Sequence, residues 1–383
     1  MKQGIKKKII IQTGSLRVGG QEKMLSELLK IIDPIKYEVL LLVEENCGKE
    51  NIYEEKIPNY IKYEFLTSEK FMKKLNSLKQ SRNPISKLIY SIMLKLKKKI
   101  AIKNFKKHLD FSNIIIDYNL GLLRHCNELN LVGKRLIGWS HAGLGGKLKD
   151  KRKEKNRRCY TDIVTINEEM RKCYEERLGK EGVKIHKIHN FLDENIILSN
   201  SQESLDEELG EYIISVGALT ENKNNACLIR AFRELIDKGI KENLVIIGEG
   251  KERENLENLI LELNLKDRVK LLGLKINPYK YISKSSLFVQ CSYSEGFPLV
   301  LLESMILGKV VVSTDNYGSR EILDNGKYGM IVENNYKEVS KNIYKLLDNK
   351  NLKKQMEELS LLRSKEFSLK AGQKYMEDFL DSL

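Results

Sequence analysis

Short apolar runs alternate with amphipathic stretches through the first half of the chain. The segment KKIIIQTG at 7–14 predicts a buried first strand, and QEKMLSELLKII at 21–32 has the three- and four-residue spacing of a helix. Further apolar runs predict strands at 37–43, 111–119, 135–141, 161–167 and 184–190. Alternation of strands and helices favours a parallel sheet with helices on both faces.

The pattern then starts again. Strands are predicted at 211–219, 243–250, 268–273, 286–292 and 309–314, with helices at 224–239 and 251–265. The segment between the two series is polar and acidic, and we predict an interdomain linker at 191–210. The chain therefore divides into domains at 1–190 and 211–365, which suits a length of 383 residues. Ligands of doubly wound sheets bind outside the carboxyl ends of the strands, so we expect the chemistry in those loops and a cleft between the domains.

The net charge of +14 is concentrated in one segment. Between 73 and 107 there are twelve Lys and Arg residues and no acidic residue, and apolar residues recur there at helical spacing. Two interpretations remain open. The helix covers the core of the first domain, or it lies on an anionic membrane surface.

The six cysteines contain no CxxC pair. Their scatter predicts reduced thiols in a cytoplasmic protein, with neither a zinc site nor a disulfide framework. The apolar run 9–11 is too short for a signal-peptide core, and no stretch approaches the ~20 residues needed to cross a bilayer.

Two loops of the second series carry candidate ligands. In VGALTENK, Gly217 ends a strand and Lys223 precedes a helix, where an ammonium group can meet a phosphate. Gly248 and Gly250 follow the next strand and allow a close backbone approach to a ligand. A surface lysine and a tight turn are the alternative explanations.

The segment SEGFPLVLLESMILGKVVV at 294–312 places two carboxylates around an apolar stretch. Pro298 predicts a helix that starts near Phe297 and ends at Gly308, so Glu295 precedes the helix and Glu303 lies inside it. The N–H groups of Gly296, Phe297 and Leu299 would attract a phosphate, and each carboxylate would accept hydrogen bonds from a polyol. Stabilisation of the helix end is the alternative reason for an acidic residue there.

The first series offers fewer candidates. The loop after the first strand contains Gly19 and Gly20 but has neither the P-loop nor the G-x-G-x-x-G pattern. His141 follows a strand in WSHAG, a better place for a ligand or an acid–base group than the interior of an element. The alternative is that His141 has only a structural role.

The order of these motifs resembles the retaining glycosyltransferases of the GT-B fold, of the family-four type (glycosyl transferases group 1). The resemblance rests on GSLRVGG, SHAG, VGALTENKN, IIGEGKERENLENLI and SEGFPLVLLESMILGKVVVSTDNYGSREIL, and it is strongest from 212 to 333. It implies two Rossmann-like domains, an acceptor-binding one at 1–190 and a nucleotide-sugar-binding one at 211–365. It also implies that 366–383, the end of the C-terminal helix, packs back on the first domain.

The resemblance also implies roles for individual residues. Glu303 would hold the ribose of the donor, and Glu295 would hold donor-sugar hydroxyls near the anomeric carbon. Lys223 would contact the diphosphate, and His141 the donor sugar. Gly19 and Gly20 would pack against donor phosphate or acceptor. Pro298 belongs to the E-x7-E signature. No metal or other cofactor is expected, because basic residues and helix N–H groups stabilise the departing diphosphate.

One position departs from the family pattern. The family usually has Arg where this chain has Ala218, so a cation for the diphosphate is missing. Arg320 or Arg17 are the candidates to replace it.

The expected function is a retaining transfer of a hexose or N-acetylhexosamine from a UDP-sugar to a hydroxyl of a glycan, glycolipid or surface-polymer acceptor. The protein would work in the cytoplasm or on the inner face of the membrane. Three alternatives stand beside it: a non-catalytic GT-B subunit, suggested by Ala218, a nucleic-acid-binding protein, suggested by the charge, and a phosphorylase or epimerase of the same fold. The basic segment lacks the interleaved aromatic residues of a nucleic-acid site, so no nucleic acid is expected.

Overall fold

The structure is a computed structural model that describes residues 6–81, 83–122, 125–126, 128–129, 131–141 and 159–383. The chain forms two compact units. The first contains Met1–His189 and Gly372–Leu383, and the second contains Asn190–Ala371. A second basic stretch of the sequence, KLKDKRKEKNRR at 147–158, and the end of the SHAG motif lie outside the described residues.

The first unit is built on a seven-stranded parallel sheet in the order β3-β2-β1-β4-β5-β6-β7. Its strands are β1 (Lys7–Thr13), β2 (Tyr37–Val43), β3 (Lys62–Phe65), β4 (Ile114–Asp117), β5 (Arg135–Ser140), β6 (Asp162–Thr165) and β7 (Lys184–Lys187). The central strands are buried on both faces, which explains their near-continuous apolar runs. The helices are α1 (Gly20–Ile31), α2 (Glu69–Gln80), α3 (Pro84–Lys106) and α4 (Glu168–Leu178).

The second unit repeats this arrangement with six parallel strands in the order β10-β9-β8-β11-β12-β13. They are β8 (Tyr212–Val216), β9 (Asn243–Ile247), β10 (Val269–Leu271), β11 (Leu287–Gln290), β12 (Val311–Thr314) and β13 (Met330–Val332). In both sheets the chain runs outward in one direction and then returns to the centre, which creates a switch point at β1/β4 and at β8/β11.

The second unit contains most of the helices of the C-terminal half. They are α5 (Glu194–Ser201), α6 (Asn225–Asp237), α7 (Arg253–Glu262), α8 (Tyr279–Lys284), α9 (Leu299–Ile306), α10 (Tyr317–Leu323), α11 (Tyr336–Asp348) and α12 (Lys350–Ser364). The predicted linker at 191–210 is not a separate connection, because it lies within the second unit and contains α5. Asp193 caps α5, a local signal that the linker prediction overlooked.

The last helix, α13 (Leu369–Asp381), belongs to the first unit from Gly372 onward. Tyr37 donates a hydrogen bond of 2.6 Å to Asp381, and Arg135 donates one of 3.0 Å to the carbonyl of Leu383. The C-terminal helix therefore packs on the first unit from Gly372 onward, whereas the sequence analysis expected this packing for 366–383.

Helix α3 has apolar residues on two faces. One face is buried in the first unit through Met93, Ala101, Ile102 and Phe105, together with the ammonium group of Lys97. On the opposite face five large apolar side chains are between 40% and 66% exposed: Ile85, Leu88, Ile89, Ile92 and Leu96. Among the described helices, α3 included, none combines the length and the apolar character that a membrane span requires.

The prediction of six reduced cysteines is wrong for one pair. Cys126 and Cys159 form a disulfide, whereas Cys47, Cys173, Cys227 and Cys291 are free thiols. The two paired residues are 33 positions apart, so their spacing gave no indication of the bond.

Candidate functional site

The loops at the carboxyl edge of the second sheet contain most of the predicted site residues. Gly217 and Lys223 follow β8, Gly248 and Gly250 follow β9, and the segment from Glu295 to Glu303 follows β11. These strands flank the switch point of the sheet. The topology therefore brings the loops to the place where doubly wound sheets bind their ligands.

Gly248 and Gly250 allow the loop after β9 to approach the loop after β8. A Cβ atom on Gly248, which has a φ of +147°, would lie 1.9 Å from the carbonyl oxygen of Gly217. A Cβ atom on Gly250 would lie 2.2 Å from the carbonyl oxygen of Leu219. Side chains at either position would push the two loops apart. These glycines thus have a packing role, and their predicted contact with a ligand stays a prediction.

Lys223 and Glu295 form an ion pair across the switch point. Lys223 Nζ lies 2.6 Å from Glu295 Oε1, and the two side chains are only 24% and 14% exposed. The stem of the lysine crosses Gly217, where a Cβ atom would lie 3.6 Å from Lys223 Cε. The structure thus brings Gly217 and Lys223 together with Glu295, which the sequence analysis selected from a different loop.

Helix α9 begins at Leu299 and is preceded by Pro298, which provides no side-chain cap. It ends before Gly308, which has a φ of +69°. The predicted helix is confirmed, although it starts two residues later than Phe297. The Phe297 ring is buried and packs edge-on against Phe367, which leaves only its backbone for a ligand.

The loop before α9 is fixed by its neighbour after β12. The N–H of Gly318 donates a hydrogen bond of 3.0 Å to the carbonyl of Glu295, and the hydroxyl of Thr314 donates one of 2.7 Å to the carbonyl of Ser292. A Cβ atom on Gly318 would lie 2.6 Å from Cδ of Pro298. Glu295, Gly296 and Pro298 therefore stand on a rigid support, which suits a preorganised site.

Glu303 lies on α9 and is only 7% exposed. Apart from Glu303 and Ser304 its helix is apolar, with Leu301, Leu302, Met305 and Ile306 all buried. Burying a carboxylate in such a helix costs free energy unless the carboxylate is paired, so Glu303 stays a candidate ligand of the site.

The arginine proposed to replace the missing cation is neutralised by an acidic neighbour. Arg320 binds Asp315 through two hydrogen bonds of 2.6 and 2.5 Å. Ala218 itself is exposed, so the surface has room for a longer side chain. In the first unit, Arg17 is likewise shared between Glu45, at 3.2 Å, and Glu50, at 3.9 Å.

The glycines after β1 lie next to an acidic group. Gly20 is the first residue of α1, and a Cβ atom on Gly19 would lie 2.1 Å from Glu22 Oε2. Ser15 donates a hydrogen bond of 3.1 Å to the other oxygen of this carboxylate. A phosphate beside Gly19 would meet a negative charge, whereas an acceptor hydroxyl would meet a hydrogen-bond acceptor.

His141 follows β5 and is a neutral imidazole at pH 7, because burial lowers its pKa to about 4. Its Nε2 lies 2.8 Å from the carbonyl oxygen of Tyr118, and its ring packs against Tyr118 and Trp139. Since a carbonyl can only accept, Nε2 carries the proton and Nδ1 is an acceptor. His141 is therefore suited to receive a hydrogen bond from a sugar hydroxyl and unsuited to neutralise a phosphate.

Two further residues escaped the sequence analysis. Gln290, at the end of β11, donates a hydrogen bond of 3.4 Å to Glu295 Oε1. Its signal was its position as the polar residue of the otherwise apolar strand Leu287–Gln290. Asp117, at the end of β4, accepts hydrogen bonds from Tyr160 and two backbone N–H groups, and burial raises its pKa to about 6.

Within the described residues, no cluster of three or more His, Cys, Asp or Glu side chains has a metal-binding arrangement.

Comparison with known proteins finds a family match in the second half of the chain. Residues 198–360 match the family model of glycosyl transferases group 1. The chain is 38% identical over 185 residues to the Campylobacter jejuni N-acetylgalactosamine-N,N'-diacetylbacillosaminyl-diphospho-undecaprenol 4-alpha-N-acetylgalactosaminyltransferase, a match that covers 47% of this chain and 49% of that protein. A second C. jejuni enzyme, GalNAc-alpha-(1->4)-GalNAc-alpha-(1->3)-diNAcBac-PP-undecaprenol alpha-1,4-N-acetyl-D-galactosaminyltransferase, is 28% identical over 55% of this chain and 57% of its own length. The chain thus spans about half the length of these curated relatives.

A solved structure extends the likeness to nearly the whole chain. Anabaena HepE, crystallised in complex with UDP and glucose, aligns with a TM-score of 0.77 over 98% of this chain and 100% of its own, at 18% identity. At that identity the likeness shows the fold alone. The chain therefore has the GT-B fold, and its residues 198–360 match the glycosyl transferases group 1.

Proposed function

We propose that this protein is a retaining glycosyltransferase that moves a hexose or N-acetylhexosamine from a UDP-sugar to a hydroxyl of a lipid-linked glycan or surface-polymer acceptor. The observation that carries the proposal is the Lys223–Glu295 pair beside the start of α9, with the buried Glu303 on the same helix. This arrangement offers a cation and a helix N-terminus for a diphosphate, and two carboxylates for two sets of hydroxyls.

In the proposed reaction, the donor diphosphate draws the ammonium of Lys223 toward itself. The bond between the anomeric carbon and the phosphate oxygen breaks, and the acceptor hydroxyl forms its bond on the same face of the sugar. The departing phosphate oxygen takes the proton of that hydroxyl. Glu295 stabilises the positive charge that develops on the sugar, as a covalent nucleophile or as an electrostatic partner. No metal or other cofactor takes part in this proposal.

The nature of the acceptor is supported by the names of the relatives. Both C. jejuni enzymes are named for acceptors attached to undecaprenol through a diphosphate. HepE was crystallised with UDP, which supports the choice of base. We place the protein at the cytoplasmic face of the membrane that holds such an acceptor.

The exposed face of α3 supports an attachment to that membrane. Its five apolar residues, from Ile85 to Leu96, are followed on the same face by the exposed lysines Lys99, Lys103 and Lys106. A face with an apolar half and a basic half fits a bilayer with anionic headgroups, because each nearby lysine contributes on the order of 1 kcal/mol.

A panel of nucleotide sugars, read by the release of free nucleotide with and without a polyprenyl-diphosphate-linked acceptor glycan, tests the proposed reaction. We expect UDP release from a hexose or N-acetylhexosamine donor, and a product whose anomeric configuration, read by NMR, equals that of the donor. Release of no nucleotide from any donor would contradict an enzyme and favour a binding subunit. An inverted product would contradict retention alone.

Flotation with phosphatidylglycerol vesicles tests the membrane attachment. We expect binding at low salt that weakens as ionic strength rises. The double variant Leu88→Glu/Ile92→Glu should bind at least about tenfold more weakly, since charges would replace apolar contacts. Ile276→Glu is the matched control, because Ile276 is 96% exposed on the second unit and should have no effect. Absence of binding at low salt, or equal loss in the control, would contradict the attachment through α3.

A further inference from the structure

Gln290 is a buried amide at a position where an apolar side chain would be expected. It ends β11, whose other residues are Leu287, Phe288 and Val289, and only 3% of its surface is exposed. A buried amide costs free energy unless its polar atoms are paired. The presence of an amide at the carboxyl end of this strand therefore needs an explanation other than stability.

The amide is paired on one side only. Gln290 Nε2 donates the 3.4 Å hydrogen bond to Glu295 Oε1, whereas Gln290 Oε1 is buried and has no hydrogen-bond partner among the described residues. An unpaired buried carbonyl is destabilising. Stability alone would favour a side chain such as Met at this position, so the bond to Glu295 is the feature that accounts for the amide.

Glu295 Oε1 receives both Lys223 Nζ and Gln290 Nε2. Its other oxygen, Oε2, accepts no hydrogen bond from the described residues. One oxygen is thus held by the protein and the other is left for a hydroxyl of the donor sugar.

The two groups that hold Oε1 differ in what a donor would do to them. A diphosphate would compete for the ammonium of Lys223, since two negative charges attract it more strongly than one carboxylate. The neutral amide of Gln290 would not be drawn away in this manner. In the donor complex Gln290 would remain the group that orients Glu295.

We propose that Gln290 is a positioning residue, which holds Oε1 of Glu295 while Lys223 turns to the departing diphosphate. The long bond of the unliganded protein would shorten in that state, as catalytic hydrogen bonds often do when substrate binds. This inference rests on the proposed function, since it assigns Gln290 a task in the same reaction.

The experiment compares Gln290→Met with Ser292→Ala. Methionine has a similar length and makes no hydrogen bond to Glu295. Ser292 is the matched control, because it is also fully buried near the end of β11 and its Oγ also lacks a partner among the described residues. Both substitutions remove an unpaired buried polar atom, but only the first removes a bond to Glu295.

For Gln290→Met we expect kcat to fall about tenfold, KM for the donor to stay within about twofold, and the melting temperature to stay level or rise. For Ser292→Ala we expect kcat within about twofold of the wild type and a melting temperature that is not lowered. A merely structural role for Gln290 predicts instead a lower melting temperature, with both kinetic constants affected.

A double variant sharpens the test. Because Gln290 would act through Glu295, adding Gln290→Met to Glu295→Gln should cause little further loss of turnover. Unchanged kcat in Gln290→Met, or losses that multiply in the double variant, would overturn the positioning role while leaving the proposed function intact. Failure of the wild type to release nucleotide from any donor would overturn the proposed function, and the positioning role with it.

Discussion

The carboxyl edges of the two sheets follow from the same strand order but are built differently. In the second unit, the loops after β8, β9, β11 and β12 are joined by backbone contacts, with Gly248 and Gly318 at the closest approaches. The polar groups Lys223 and Glu295 are thereby held side by side without being deeply buried. The backbone contacts supply a rigid frame, and the candidate site residues lie on it.

In the first unit, the polar groups at the same edge serve the fold of their own unit. Asp117 accepts hydrogen bonds from Tyr160, Gly121 and Leu122, and His141 is bound to the carbonyl of Tyr118. The difference teaches that one topology can present an ion pair for a charged ligand in one copy, and a neutral imidazole acceptor near acidic groups in the other. A diphosphate donor suits the second edge, and a hydroxyl-bearing sugar suits the first.

The largest expected effect is a loss of turnover at the carboxyl edge of the second sheet. Glu295→Gln should lower turnover by at least roughly a hundredfold, because the amide cannot stabilise positive charge on the sugar. UDP release measures the loss. Glu338→Gln, on the exposed side of α11, is the control and should keep wild-type turnover and melting temperature. Turnover retained in Glu295→Gln would contradict the role assigned to this edge.

At the carboxyl edge of the first sheet we expect a smaller effect, on the pH dependence of stability. The pKa of His141 is about 4 in the folded protein and about 6.5 in an unfolded chain, so the unfolded state binds an additional proton between these values. Lowering the pH from 7.5 to 4.5 should therefore cost about 2 kcal/mol of stability through this residue. Asp117, with its raised pKa, acts in the opposite direction, so only the difference from a variant isolates His141.

His141→Asn supplies that difference. Its stability should fall by about 2 kcal/mol less than that of the wild type over the same pH range. Trp139, the one tryptophan of the chain, lies beside His141, and its fluorescence during urea unfolding reports on the first unit. An identical pH dependence in both proteins would show that His141 is not a buried neutral acceptor.

The smallest expected effect is a change in KM for the donor when an arginine is introduced at position 218. Ala218→Arg should lower KM for the UDP-sugar about fivefold, because Ala218 is exposed in the loop that carries Lys223 and a guanidinium there can reach an anion. The gain should shrink at high salt. Ala218→Gln, which adds length without charge, should leave KM unchanged. A gain of the same size with glutamine would remove the electrostatic explanation.

The sequence predicted the strands that are apolar throughout. Runs such as Ile9–Ile11 identify a buried parallel strand without further context. It missed β3, because Lys62, Tyr63 and Glu64 are exposed at the edge of the sheet, and β13, because three residues are too few for a periodic signal. The candidate site residues could be selected because glycines and carboxylates follow strands in the loops where doubly wound sheets bind their ligands.

The sequence could not give contacts between distant residues. Lys223 and Glu295 are 72 positions apart, and nothing in either loop indicates that their side chains meet. Gln290 was overlooked because one polar residue at a strand end is common and gains meaning only from its contact with Glu295. The Cys126–Cys159 bond was mispredicted for the same reason, since spacing carries no information about a pairing set by tertiary structure.

Calorimetric titration of UDP into the wild type and into Glu303→Gln tests the central claim most directly, namely that the carboxyl edge of the second sheet holds a nucleotide diphosphate. We predict saturable binding by the wild type below millimolar concentration, weakened about tenfold in Glu303→Gln, since the amide replaces a charged acceptor. Absence of UDP binding at millimolar concentration, or equal binding by both proteins, would contradict the account.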